Sequence, residues 1–323
     1  TMGRNRHQSL EIPARDLLRH VLATGASGSG KTVAMKVLAE GLLLHRVPIV
    51  AIDVMGDLSG LVLPGFTGSL ARRLRLQSTA PKDRSIAAIG QTLAKQIYPV
   101  VFTPLSDAGV RMSISPLMSR PPMYDKLRRD NEEQLTLSAG MVADNLLGRI
   151  DYDPKKIASK YIRGLFVESI LSAWDHDIDL DGEAGIKRYI TFIEEFSHDS
   201  HVFPEADRQA IQMSLEALLL GDERAWLTGR SLNLHRIMRA AGDKVPVIVV
   251  SLAQVRSDLH PWVISQVIHD CISYCSSFGS NEGISRIGLL IDELAGGGGR
   301  HAILPGANYK SASGSAIRNV LRK

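Results

Sequence analysis

The 323-residue chain has two cysteines, few aromatic residues and no long apolar run. Cys271 and Cys275 are too few for a disulfide framework, which favours a reducing compartment. The apolar runs stay far below the ~18 residues that a membrane-spanning helix needs. No cationic start leads into the apolar stretch of a secretory signal. We therefore expect a cytoplasmic protein that does not insert into a membrane.

The overall composition excludes several broad classes. Apolar residues make up 44% of the chain and charged residues 22%, which is ordinary for a globular protein and excludes wholesale disorder, collagen and coiled coil. The length predicts two domains, or one large domain that carries an insertion.

Charge is distributed unevenly along the chain, although the net charge is only +4. Residues 130–224 contain 20 acidic and 9 basic residues, while the remainder contains 14 acidic and 29 basic residues. This segregation predicts two surfaces with different partners, of which only the basic one suits a polyanion. Two solvated faces of opposite sign are the plainer alternative.

Short apolar runs predict the strands of an α/β fold. We expect buried strands at 20–24, 48–53, 98–103, 110–114, 245–252 and 287–291. A helix is expected at 31–46 and an amphipathic helix at 260–278. Strand, helix and strand in this order predict a largely parallel sheet that is covered on both faces.

The middle of the chain is expected to be a large, acidic helical insertion. Its apolar residues recur at helical spacing in three sets: Leu135, Val142 and Leu146; Ile162, Phe166, Ile170 and Trp174; Ile186, Ile190 and Ile193. We therefore divide the chain into a first core part at 1–118, the insertion at 119–244 and a second core part at 245–323.

A glycine-rich loop between the first strand and the first helix predicts a phosphate-binding site. The sequence matches G-x-x-x-x-G-K-[ST], the P-loop or Walker A pattern. Its glycines let backbone N–H groups converge on phosphate oxygens, and the helix N-terminus adds partial positive charge. Lys31 is expected to reach the β- and γ-phosphates of ATP, and Thr32 to ligate Mg²⁺. The predicted nucleotide-binding residues are Gly25, Ala26, Ser27, Gly28, Ser29, Gly30, Lys31, Thr32 and Val33.

The last apolar strand ends in Asp292 and Glu293, as a Walker B strand does. Asp292 is expected to hold the Mg²⁺ shell, and Glu293 to act as the general base on the attacking water. Asp53, which ends another strand, is the second choice for magnesium because no acidic residue follows it. Asp53 and Asp57 are also candidates for residues that lie near the nucleotide without contacting it directly.

Basic residues occur in two clusters that could bind nucleic acid. Arg72, Arg73 and Arg75 lead the first cluster, and the second falls within residues 300–323. Phosphate backbones are bound by such residues without base reading. Because few aromatic residues are interleaved, contact with duplex DNA is favoured over stacking on single strands.

These motifs together resemble one family. HVLATGASGSGKTVAMKVLAEGLL, VPIVAIDVMGDLSGL, PVIVVSLAQV and LLIDELAGGGGRHAILP are similar to the HerA-like, HerA/FtsK-type branch of P-loop ATPases over about 8–116 and 228–323. The resemblance implies a RecA-like core, a homohexameric ring, ATP hydrolysis between subunits and translocation or unwinding of double-stranded DNA. It further implies, for some members, a nuclease partner or a role in phage defence.

Two departures from the family pattern leave alternatives open. Only about 19 residues precede the first strand, where the family carries a β-barrel, and no strand of the family's sensor type follows Glu293. We therefore expect the natural protein to continue past Lys323, and the cross-subunit arginine is not assigned. The alternatives to a DNA translocase are a related motor that pumps protein or packages nucleic acid, a nucleotide-gated scaffold and a small-molecule kinase.

Overall fold

The computed structural model describes residues 20–26, 28–63, 84–121, 124–149, 157–198, 205–257, 259–278 and 286–292. It also describes residues 4–5, 8–9, 12–13, 16–17 and 317. No helix within these ranges is long and apolar enough to cross a membrane.

The described strands form two sheets. β1 (Arg4–Asn5) and β2 (Gln8–Ser9) are a short antiparallel pair. The larger sheet has five strands in the order β5-β4-β6-β3-β7. These strands are β3 (Ile49–Asp53), β4 (Ile97–Pro104), β5 (Val110–Met112), β6 (Val245–Ser251) and β7 (Gly288–Ile291). The pairings of β3 with β6, β3 with β7 and β4 with β6 are all parallel. The predicted α/β class is confirmed.

The helices lie between the strands in the chain. They are α1 (Lys31–Leu44), α2 (Arg84–Gln96), α3 (Tyr124–Asp130), α4 (Glu132–Arg149), α5 (Ile157–Asp175), α6 (Gly182–His198), α7 (Glu205–Ala217), α8 (Gly221–Trp226), α9 (Leu234–Ala241) and α10 (His260–Ser276). A 3₁₀ helix occupies Leu58–Val62.

The chain divides into two compact units. The sheet unit comprises Thr1–Phe102, His235–Ala253 and Ser280–Glu293, and the helical unit comprises Thr103–Leu234, Gln254–Gly279 and Leu294–Lys323. Each unit has its own apolar core. In the sheet unit, side chains of α1 pack with β3 and β6, as Leu43, Ile49 and Val247 do.

The core of the helical unit is built from the faces that the spacing predicted. All ten residues of the three predicted sets in 135–193 are buried and belong to one cluster. Buried hydrogen bonds occur within this core, since the Ser169 and Tyr189 hydroxyls lie 2.7 Å apart. The burial and helical form of this stretch are therefore confirmed. α10 also belongs to the helical unit, but the amphipathic pattern predicted for it is wrong, because residues 263–273 are buried without interruption.

The strand predicted at 20–24 is wrong. These residues have no ladder partner among the residues that the structure describes, and Val21 and Leu22 are 57% and 74% exposed. A short apolar run becomes a strand only where it pairs with the backbone groups of a neighbouring strand, and apolar composition alone does not supply that partner. The structure also contains α2, which the sequence analysis did not predict.

Candidate functional site

The glycine-rich loop leads directly into α1. Gly25, Gly28 and Gly30 have φ angles of 158°, 77° and 91°, a range that side chains other than glycine rarely adopt. A β-carbon at Gly25 would lie 2.5 Å from Ser29 Oγ, whereas the space at Gly28 and Gly30 is open. The backbone thus turns tightly at Gly25 and leaves open space beside Gly28 and Gly30.

The start of α1 offers backbone donors and positive charge. Gly30 is its N-cap, no described side chain caps this end, and the first turn holds no acidic residue. The N–H groups of a first helical turn lack partners within the helix, and the helix dipole adds partial positive charge there. Such an end suits an anion, and phosphate in particular.

Lys31 adds a positive charge to this loop. Its ammonium group donates to the carbonyl oxygens of Gly25, at 2.7 Å, and Ala26, at 3.0 Å. The ammonium therefore lies against the loop that precedes its own helix. A phosphate at the helix N-terminus would therefore lie close to the positive charge of Lys31.

The packing of α1 fixes the edge of the sheet at which its N-terminus lies. A β-carbon at Gly288, where β7 begins, would come within 3.0 Å of Leu42 Cδ1 near the end of α1. The Lys36 ammonium lies instead near Gly60, beyond the end of β3. The helix therefore runs antiparallel to these strands, and Lys31 points toward their carboxyl ends.

Two aspartates lie side by side at that carboxyl edge. Ile52 pairs with Ile291, so Asp53 and Asp292 each follow at the end of neighbouring strands, and the Asp292 N–H donates to the Ile52 carbonyl. Both side chains are buried. Ser251, at the end of β6, is in register with Asp53. Carboxylate and hydroxyl oxygens are the ligands that Mg²⁺ favours, so this edge has a suitable set of donors.

The contacts of Asp53 separate its role from that of Asp292. One carboxylate oxygen of Asp53 accepts the Gly56 N–H at 2.8 Å. The other accepts the Ser59 N–H at 2.8 Å and the Ser59 hydroxyl at 2.6 Å. Both oxygens thus hold the turn after β3 in place. The aspartate-to-glycine and aspartate-to-serine spacings are the signal in the sequence that could have predicted this role.

This network predicts a local cost for Asp53→Asn. An amide accepts at only one of its two ends, so at least one partly buried N–H loses its hydrogen bond to a charged acceptor, at about 1–3 kcal/mol. The amides of Gly56 and Ser59 should then exchange with solvent about 10- to 100-fold faster, as measured by hydrogen–deuterium exchange of peptides that cover 49–63. Asp57→Asn is the matched control, because Asp57 is exposed and caps no helix end with its side chain. Equal exchange in the two variants would contradict this role of Asp53.

The structure describes only some of the remaining predicted site residues. Thr32 lies half-buried in the first turn of α1, and Val33 beside it is 65% exposed. Ser27 and Glu293 lie outside the described residues, and so do Arg72, Arg73 and Arg75. The structure therefore brings the glycine-rich loop, Lys31, Asp53 and Asp292 to one edge of one sheet.

A helix N-terminus with a glycine-rich loop, placed at the carboxyl edge of a parallel sheet, is typical of α/β proteins that bind nucleotides. Residues 2–114 match the family model described as helicase HerA-like C-terminal. The resemblance predicted from the sequence is confirmed for this segment, which is about a third of the chain. A comparison with curated proteins finds no match, and a comparison with solved structures finds none.

Proposed function

We propose that the chain is the ATP-hydrolysing core of a ring-forming motor that translocates or unwinds double-stranded DNA. The observation that carries this proposal is the match of residues 2–114 to a helicase HerA-like family, because that segment contains the glycine-rich loop, Lys31 and Asp53. A family of helicases implies a nucleotide as the energy source and nucleic acid as the substrate.

Each side of the site has its own proposed role. The loop from Gly25 to Gly30 would surround the phosphates with N–H groups, and Lys31 would turn from the loop carbonyls to the β- and γ-phosphates. Val33 would lie beside the nucleotide in the same helical turn. Thr32 and Asp292 would hold Mg²⁺ between them. When bound, Mg²⁺ would neutralise charge on the phosphate oxygens.

Hydrolysis needs a base, and Glu293 is the proposed one. Its carboxylate would take the proton from the attacking water, while Asp53 keeps the neighbouring turn in place through Gly56 and Ser59. In a homohexamer, each site would be completed by a neighbouring subunit. Arg72, Arg73 and Arg75 are the proposed contacts to the DNA backbone, and a nuclease or defence protein is a proposed partner.

Glu293→Gln tests this assignment because it separates binding from hydrolysis. The amide keeps the shape of the side chain but does not take the proton, so hydrolysis should fall by about 10²-fold or more while ATP binding persists. Phosphate release and the affinity for a fluorescent ATP analogue are the two measurements. Glu40→Gln is the control, since it makes the same chemical change in the half-buried Glu40 of α1.

The outcomes separate the alternatives. Hydrolysis at the wild-type rate in Glu293→Gln would show that another group is the base. A wild-type protein that binds ATP tightly but does not hydrolyse it would favour the nucleotide-gated scaffold over the motor.

A further inference from the structure

Basic residues lie just before each of four neighbouring parallel strands. Arg46 precedes β3, Lys95 precedes β4, Lys244 precedes β6 and Arg286 precedes β7, each by one to three positions. All four residues belong to the sheet unit. We call this set the amino-edge row.

The strand register places the starts of β3, β4, β6 and β7 along one edge of the sheet. Ile49 pairs with both Val247 and Gly288, and Ile97 pairs with Val245. The Arg46 guanidinium donates to the Asp243 carbonyl, so Arg46 is in direct contact with the residue that precedes Lys244. Neighbouring strands lie ~4.8 Å apart, so the row spans about 15 Å across four strands.

The row is accessible, and the exposed Asp243, which precedes Lys244, lies beside it. Arg46, Lys95 and Lys244 are exposed, and Arg286 is half-buried. None of these three exposed cations takes part in an ion pair between described residues. Arg239, in the last turn of α9, adds a further exposed cation to this unit.

Arg46 holds its place in an unfavourable backbone conformation. The Arg46 N–H donates to the Leu43 carbonyl and the Val47 N–H to the Leu42 carbonyl, which are the two hydrogen bonds that close a helix in a Schellman motif. Glycine is the usual residue at the position of Arg46, because its φ of 60° is strained for other side chains. Strain retained at an exposed position points to a use for the side chain.

We infer that the amino-edge row binds the phosphate backbone of duplex DNA. A line of exposed cations suits regularly spaced phosphates, and contacts of this kind need no base reading. Interfaces between proteins are depleted of charged residues at their centre, which a row of four cations does not fit. The row lies at the edge of the sheet opposite to Lys31 and Asp292. DNA as the partner rests on the proposed function.

The test is the salt dependence of binding to a short fluorescein-labelled duplex DNA of random sequence, measured by anisotropy without ATP. For a Lys95→Gln/Lys244→Gln double variant, the slope of log affinity against log salt should become shallower by about 1.8, since each lost phosphate contact removes about 0.9. Arg46→Gly should make the slope shallower by about 0.9 without lowering the unfolding temperature, because glycine relieves the strain.

The matched control is Lys126→Gln/Arg129→Gln, which removes the same charge from exposed positions on α3. A shallower slope in the amino-edge variants alone supports the inference, even if the protein does not hydrolyse ATP and the proposed function fails. Wild-type slopes in these variants, equal changes in the control, or no DNA binding by the wild type would each overturn it. If ATPase activity persists in those cases, the inference fails but the proposed ATP hydrolysis is not contradicted.

Discussion

Lys31→Ala should reduce ATP turnover by about 10²-fold or more. Lys31 supplies a positive charge to the glycine-rich loop, and its ammonium is already held within 3.0 Å of two loop carbonyls. Removing one preorganised donor from a reacting centre typically costs 10²–10³-fold in rate. ATP affinity should fall as well, because the phosphates lose a charge-assisted hydrogen bond. Phosphate release and binding of a fluorescent ATP analogue measure the two effects.

Lys36→Ala is the control for this variant. Lys36 lies on the same helix, but its ammonium is near Gly60 rather than the loop. Its removal should leave turnover close to that of the wild type. If Lys31→Ala bound and hydrolysed ATP as the wild type does, the assignment of this loop to phosphate binding would be wrong.

The second large effect concerns two neighbouring residues of α10 that titrate in opposite senses. Burial raises the pKa of Asp270 to about 7, although its carboxylate accepts the Leu234 N–H at 2.8 Å, and the charge of Asp181 raises it further. The folded state therefore binds a proton that the unfolded chain releases near pH 3.8. Stability due to Asp270 is lost as the pH rises from about 4 to 7.

His269 has the reverse effect. Burial lowers its pKa to about 4 from 6.5, and its Nδ1 has no hydrogen-bond partner among the described residues. In the unfolded chain His269 thus binds a proton that it does not bind in the folded state. The free energy of unfolding therefore decreases as the pH falls from 6.5 to 4. Between pH 4 and 6.5 the two effects oppose each other, so the wild-type dependence should be shallow.

Single variants should expose the two slopes. Asp270→Asn leaves His269, so the free energy of unfolding should rise between pH 4.5 and 6.5, by up to about 3 kcal/mol. His269→Leu leaves Asp270, so the free energy of unfolding should fall between pH 4.5 and 7, by up to about 3 kcal/mol. Urea unfolding followed by tryptophan fluorescence measures both in the helical unit, since all three tryptophans lie there. The double variant is the control and should be nearly flat; slopes of the same sign in both single variants would contradict the prediction.

Much of the fold could be predicted because its strands are continuous apolar runs. The runs at 48–53 and 245–252 correspond to β3 and β6, which are buried along almost their whole length. The helices of the middle segment were predictable for a related reason. Their apolar residues recur at i, i+3 and i+4, and each such stripe lies in the core.

The errors arise where local sequence does not decide the structure. Residues 20–24 are apolar enough for a strand, but a strand also needs a partner that the sequence does not name. α10 was expected to expose one face, yet polar residues such as Gln266 and Asp270 are buried by packing from neighbouring elements. Neither partner choice nor burial of a polar side chain can be read from periodicity.

The candidate site, too, could be predicted only in part. The glycine-rich loop is a local pattern, so the loop and the helix that follows it could be predicted from eight consecutive residues. The function of Asp53 could not, because it depends on hydrogen bonds to Gly56 and Ser59 that form only when the turn folds. The amino-edge row could not be predicted from the sequence, because its four cations come from four distant segments that the sheet brings together.

The most direct test of the proposed motor is the ATPase rate of the wild-type chain with Mg²⁺, measured with and without duplex DNA. A motor that couples hydrolysis to movement along DNA should hydrolyse ATP and should do so faster when duplex DNA is present. Lys31→Ala should abolish both the basal and the stimulated rate. A rate that duplex DNA leaves unchanged, or no hydrolysis in either condition, would contradict the proposal that this chain is an ATP-driven DNA motor.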